Sequence, residues 1–186
     1  MGTLQTDASK RQPMKYDPKK HHRRSIRLKG YDYASAGAYF ITICAYQRKR
    51  LFGQVVNGEM ELNLIGRTAR GHWMKLPKHH RHLHLDEFII MPDHMHGILI
   101  LDHGISGMDL PSSNAPGSKR HSLSEIIRGF KTFSTRRINQ IRQTPGISVW
   151  QRNFYEHIIR DEIAMQNIRR YIQANPASWQ RKSRRA

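Results

Sequence analysis

The sequence predicts an α+β sandwich, with helices packed on a central antiparallel sheet. Three observations carry that prediction. Short runs rich in β-branched and aromatic residues recur along the chain. Between them lie stretches with helical spacing of apolar residues. Two of the strand runs, 83–91 and 95–101, are separated by little more than Pro92-Asp93, a turn signal too short for a crossover, so they must pair antiparallel.

The first strand is expected at Tyr39-Phe40-Ile41-Thr42-Ile43-Cys44-Ala45-Tyr46. Residues 51–62 read as a short hairpin turning at Asn57-Gly58, a pair that accepts positive φ. Leu64, Ile65, Thr68, His72 and Leu76 give a helix over 63–79, ending near Pro77. After the paired strands, residues 102–120 are dense in Gly, Pro and Ser and predict a mobile loop. Ser122 and Glu125 then fit a capping box, and Leu123, Ile126, Ile127, Phe130, Phe133, Ile138 and Ile141 form the apolar face of a long helix. Val149 to Ile159 predicts the last strand, and Asp161 opens a helix over 161–175 that Pro176 should stop. Without the hairpin, the order is β-α-β-β-α-β, which is that of the ferredoxin-like fold. Residues 1–30 carry nine Lys/Arg against two Asp and no apolar period, predicting a flexible basic arm. The chain thus divides into the arm, one domain over 31–180 and a basic tail at 181–186.

Composition narrows the function. Lys and Arg outnumber Asp and Glu 32 to 14, a net charge of +18, which suits a polyanion partner and fits poorly an enzyme of neutral small molecules. Nucleic acid is the expected partner. Cys44 is the single cysteine, so neither an intrachain disulfide nor a thiolate zinc site is expected. No run reaches membrane-spanning length and the N-terminus has no signal-peptide core, so a cytosolic protein is expected.

The chemistry centres on His94-Met95-His96, inside an apolar run. Alternation along a strand sends both imidazoles to one face, about 7 Å apart at Cα. Two buried imidazoles side by side are costly unless satisfied, and a divalent metal satisfies them well. Joined by an amide and phosphate oxygens, two imidazoles would suit Mg²⁺ or Mn²⁺, with Zn²⁺ less expected where no thiolate or carboxylate completes the set. Tyr171 and Asn175 share a face of the last helix. Tyr171 also continues an apolar stripe with Ala164, Ile168 and Ile172, so these residues alone leave packing open as its role.

Four motifs together resemble the REP-associated tyrosine transposases, single-strand DNA enzymes of the HUH endonuclease superfamily. They are Met91-Pro92-Asp93-His94-Met95-His96, Ile126-Ile127-Arg128-Gly129-Phe130-Lys131, Trp150 to Arg160, and Arg170-Tyr171-Ile172 followed by Asn175-Pro176. The resemblance spans about Tyr39 to Trp179 and leaves the arm and the 102–120 loop uncovered. It implies His94 and His96 as metal ligands and Tyr171 as nucleophile. It puts Asn175, where insertion-sequence relatives carry Gln, in the place of the third ligand. Tyr155 is the rival nucleophile, and His157, two residues along the same strand, is a further candidate. The implied substrate is single-stranded DNA with palindromic hairpins, cut and rejoined through a 5′-phosphotyrosine. The expected cofactor is Mg²⁺ or Mn²⁺, and a monomer is favoured. Arg23, Arg24, Arg128, Lys131, Arg136, Arg169 and Arg170 are the candidate DNA contacts, and His79, His80, His82 and His84 are expected at the surface or on phosphate. A hairpin-binding protein or repressor without catalysis is the alternative.

Overall fold

The computed structural model describes residues 35–102 and 121–183. The basic arm, Arg23 and Arg24 within it, nearly all of the 102–120 loop and the last three residues of the tail lie outside that range.

The elements are β1 (Gly37–Cys44), a 3₁₀ turn (Tyr46–Arg48), β2 (Gly53–Val56), β3 (Glu59–Leu62), α1 (Leu64–Met74), α2 (Leu76–His79), β4 (Leu83–Ile90), β5 (His94–Leu101), α3 (Leu123–Arg142), β6 (Tyr155–Ile159), α4 (Glu162–Gln173) and α5 (Asn175–Ser183). β2 and β3 form a separate hairpin, whose turn residues Asn57 and Gly58 have φ of 51° and 82°. The main sheet runs β4-β5-β1-β6 with every neighbouring pair antiparallel. That is the ferredoxin-like order, with β5 and β1 central. Among the described residues no helix is long and apolar enough to cross a membrane.

The two faces of the sheet are distinct. Met95 and Leu99 of β5 and Tyr39, Ile41 and Ile43 of β1 join Trp73 of α1 and Phe130 of α3 in the larger core. Ile98 and the β1 residues Ala38 and Phe40 join Met165 and Ile172 of α4 in a smaller one. Alternation therefore turns His94 and His96, in phase with Ile98, toward α4 and α5. Gly97, between His96 and Ile98, faces α1, where Trp73 comes so close that a Cβ would stand 2.7 Å from its ring.

Three boundaries differ from the sequence expectation. The 63–79 helix breaks at Lys75, and Pro77 falls in the first turn of α2, where its missing N–H costs nothing. The last strand begins at Tyr155, because residues 149–154 follow α3 as an irregular connection with only Trp150 bridging to Ala45. Lys131 anchors this connection by donating to the carbonyls of Gln151, Arg152 and Asn153 at 2.9, 3.3 and 2.9 Å. Pro176 does end the helix before it, yet it also lies in the first turn of a further helix, α5. The capping box of α3 forms as expected, with Ser122 Oγ accepting from Glu125 N–H and Glu125 accepting from Ser122 N–H.

Candidate active site

His94 and His96 stand on β5 with their Nε2 atoms 3.1 Å apart. Both residues are nearly fully buried, at 6% and 5% exposure. Each Nδ1 has its own partner. His94 Nδ1 lies 2.5 Å from a carboxylate oxygen of Asp93, so that nitrogen carries the proton and Nε2 presents its lone pair. His96 Nδ1 lies 2.8 Å from Thr42 Oγ1, across the β1–β5 pairing that sets Thr42 opposite His96. When Thr42 accepts, His96 also presents an Nε2 lone pair, and two lone pairs this close repel unless a cation lies between them. Burial lowers both imidazoles: His94 falls below its ordinary value despite Asp93, and His96 is pushed down to about 3. Neutral imidazoles oriented through Nδ1 are the form that ligates metal. The 3.1 Å gap fits metal–nitrogen bonds of about 2.1 Å. Among the described residues no third His, Cys, Asp or Glu joins the pair in a metal-holding group. The donor set is therefore nitrogen-poor, leaving the remaining positions to amide, phosphate or water oxygens.

Tyr171 projects from α4 with its phenol oxygen 3.3 Å from His96 Nε2. Its ring meets Phe40 edge-on, and Phe40 stacks on His96 with centroids 5.4 Å apart. Tyr171 is 51% exposed, so its phenol combines an anchored direction with open access. Two polar clamps hold the helix on the sheet edge to either side of it: Arg169 grips Asp86 through Nε and Nη2 at 2.8 and 2.7 Å, and Gln173 donates to Glu87 at 2.9 Å. Asn175 is buried at the start of α5. From that helix Trp179 packs against the His94 ring, and Arg50 lies over Trp179.

The other charged candidates divide. Arg128, Arg136 and Arg170 are exposed. Lys131 and Arg169 face protein partners instead, the three carbonyls and Asp86 respectively, with Glu162 a further partner of Arg169. Burial pushes the Lys131 ammonium down to about 8. Tyr155 and His157 lie exposed on β6, paired opposite Thr42 and Phe40. His79 and His84 are exposed, while His80 packs edge-on against both His82 and His121.

Sequence reasoning missed Asp93, Thr42, Phe40 and Arg48 as parts of this site. Asp93 was visible as the neighbour of His94 and read only as a turn former. Thr42 and Phe40 reach His96 through the β1–β5 register, which no local pattern specifies. Arg48 closes on Asp93 at 3.1 Å and donates to Cys44 Sγ at 2.9 Å, from a turn where Gln47 and Arg48 both have φ of 56°.

No protein-family model matches the chain. An uncharacterized protein of Haemophilus influenzae is 41% identical over 173 residues, spanning 89% of this chain and 94% of that one. The chain belongs to that protein's family. Among solved structures, a REP-associated tyrosine transposase bound to a REP hairpin superposes with a TM-score of 0.54 at 18% identity. It covers 84% of this chain and 74% of the transposase chain, so the two share a fold.

Proposed function

We propose that this protein is a metal-dependent single-stranded DNA endonuclease and strand transferase that cleaves and rejoins DNA beside REP-type hairpins through a 5′-phosphotyrosine on Tyr171. The observation that carries this reading is the Tyr171 phenol 3.3 Å from Nε2 of a buried, neutral His pair. The hairpin-bound transposase of the same fold supports DNA as the partner, as does the net charge of +18.

His94 and His96 would hold Mg²⁺ or Mn²⁺ through Nε2, with Asn175 as the candidate amide ligand. Such an ion would orient the scissile phosphate and draw off its charge. Asp93 and Thr42 keep both imidazoles aimed. Tyr171 supplies the nucleophile: its Oη bonds to phosphorus as the bond from phosphorus to the 3′ oxygen breaks. A free phenol has a pKa near ~10, so the proton leaves as attack proceeds, and the departing 3′ oxygen takes one up. Proton and bond counts balance, and one phosphate ester replaces another. A 3′-OH can therefore reverse the step without ATP. A monomer acting on nucleoid DNA in the bacterial cytoplasm completes the reading.

The test is a labelled single-stranded hairpin from repeats flanking the gene, incubated with Mn²⁺ or EDTA and analysed for a denaturation-resistant adduct. Wild type and Tyr155→Phe should form it with Mn²⁺, and Tyr171→Phe should not. An adduct lost only in Tyr155→Phe would move the nucleophile, and tight hairpin binding without any adduct in wild type would leave a binding protein or repressor.

A further inference from the structure

β6 lies next to β1 at the sheet edge, and its pairing puts Tyr155 opposite Thr42 and His157 opposite Phe40. Directly opposed residues in an antiparallel pair share a face. His96, Thr42 and Tyr155 therefore form one row across three strands, with Tyr155 about 9.5 Å from His96 at two strand spacings. α4 packs over one end of this face, where Ile159 joins Met165 and Ile172 in the smaller core. Among the described residues the other end is exposed. Tyr155 is 48% exposed, and His157 is exposed beside it. An aromatic on a strand ordinarily earns its place by packing, and half its surface in water is a poor use of one.

The surroundings suit an anionic strand. Exposed Arg152 and Arg160 stand before and after β6. Glu156, the carboxylate within β6, alternates to the opposite face and is buried. Tyr155 and His157 are spaced about 7 Å along the strand, enough for two unstacked bases side by side. Lys131 holds the residues that lead into β6, so the strand is presented on a fixed support.

We propose that Tyr155 and His157 form a base-stacking platform for the unpaired nucleotides flanking the phosphate at the His pair, with Tyr155 a binding residue and not a second nucleophile. The position relative to the scissile phosphate rests on the reading above, whereas the platform itself does not.

The experiment is fluorescence anisotropy of a labelled single-stranded oligonucleotide in EDTA, where no cleavage can occur, with a blunt duplex of the same sequence as control. Tyr155→Ala should weaken single-strand binding about 5- to 150-fold, the range for losing one aromatic–base stack, and Tyr155→Phe should bind like wild type. His157→Ala should weaken it further, and duplex binding should change little. A circular-dichroism melt shows that each variant is folded. Unchanged single-strand affinity in folded Tyr155→Ala overturns the platform, as does an equal loss in Tyr155→Phe, which would assign the effect to the hydroxyl. Because these titrations need neither metal nor adduct, they distinguish failure of the platform from failure of the nicking reaction.

Discussion

Gly97→Ala tests how β5 is seated between the two halves of the protein. The added Cβ would stand 2.7 Å from Trp73 Cζ2, 3.4 Å from Trp73 Cε2 and 3.3 Å from Phe88 Cβ. Carbon atoms pack at about 3.5–4.0 Å, so the first contact is about 1 Å too short. Trp73 has nowhere to retreat. It is fully buried, meets Phe130 edge-on with centroids 5.2 Å apart and leans on Phe88. Overpacking of this kind costs about 1–3 kcal/mol. In a chain of this size that corresponds to a drop in Tm of roughly 2–12 °C. The sign is what makes the test sharp. Gly97 has ordinary strand backbone, and replacing a strand glycine with alanine would otherwise gain about 0.5–1 kcal/mol. Thermal and urea melts of Gly97→Ala, Trp73→Phe and the double variant measure both the cost and its coupling to Trp73. A smaller ring at 73 should relieve part of the Gly97→Ala penalty. A Gly97→Ala protein as stable as wild type, or strictly additive costs in the double variant, would refute the steric argument.

Two further outcomes follow from the site. Thr42→Val keeps the side-chain shape and removes the oxygen that orients His96 Nδ1. Mn²⁺ affinity, titrated calorimetrically, should fall about 10- to 100-fold, and unchanged affinity would show that Thr42 does not set the imidazole. The Arg169 hydrogen bonds hold the Asp86 carboxyl below its ordinary 3.8, so the folded state releases that proton more readily than the unfolded chain does. The resulting stability is present above pH ~4 and lost as pH falls through the folded value, whereas Asp86→Asn lacks it at every pH. Urea midpoints should therefore show the wild-type lead over Asp86→Asn intact above about pH 4 and shrinking as pH falls below it. A gap that stays constant over that range would place the pair's contribution elsewhere.

The strand and helix periods made most of the fold legible, because β5, α3 and the Asn57-Gly58 turn each carry a strong local signal. Pro77 and Pro176 misled where proline was read as a stop alone, since its lost donor is harmless in the first turn of a new helix. At the site, the His-Met-His spacing and the four-motif resemblance brought His94, His96 and Tyr171 together as candidates, and the fold brings those three into contact. Charge alone could not distinguish Lys131 and Arg169 from Arg128 and Arg136. Their roles depend on carbonyls 20 residues downstream and on a carboxylate 83 residues upstream, both long-range facts.

The imidazole pair belongs to a strand hydrogen-bonded on both sides and covered on both faces. The helix bearing Tyr171 is seated on the sheet through Met165 and Ile172, and its outer side is tied to the sheet edge by a guanidinium–carboxylate grip and an amide–carboxylate contact, both partly in solvent. Salt and acid weaken such ties before they disturb a core. The proposed reaction centre therefore joins a strand in the middle of the sheet to a helix whose edge contacts respond to ionic strength and pH while its apolar seat holds.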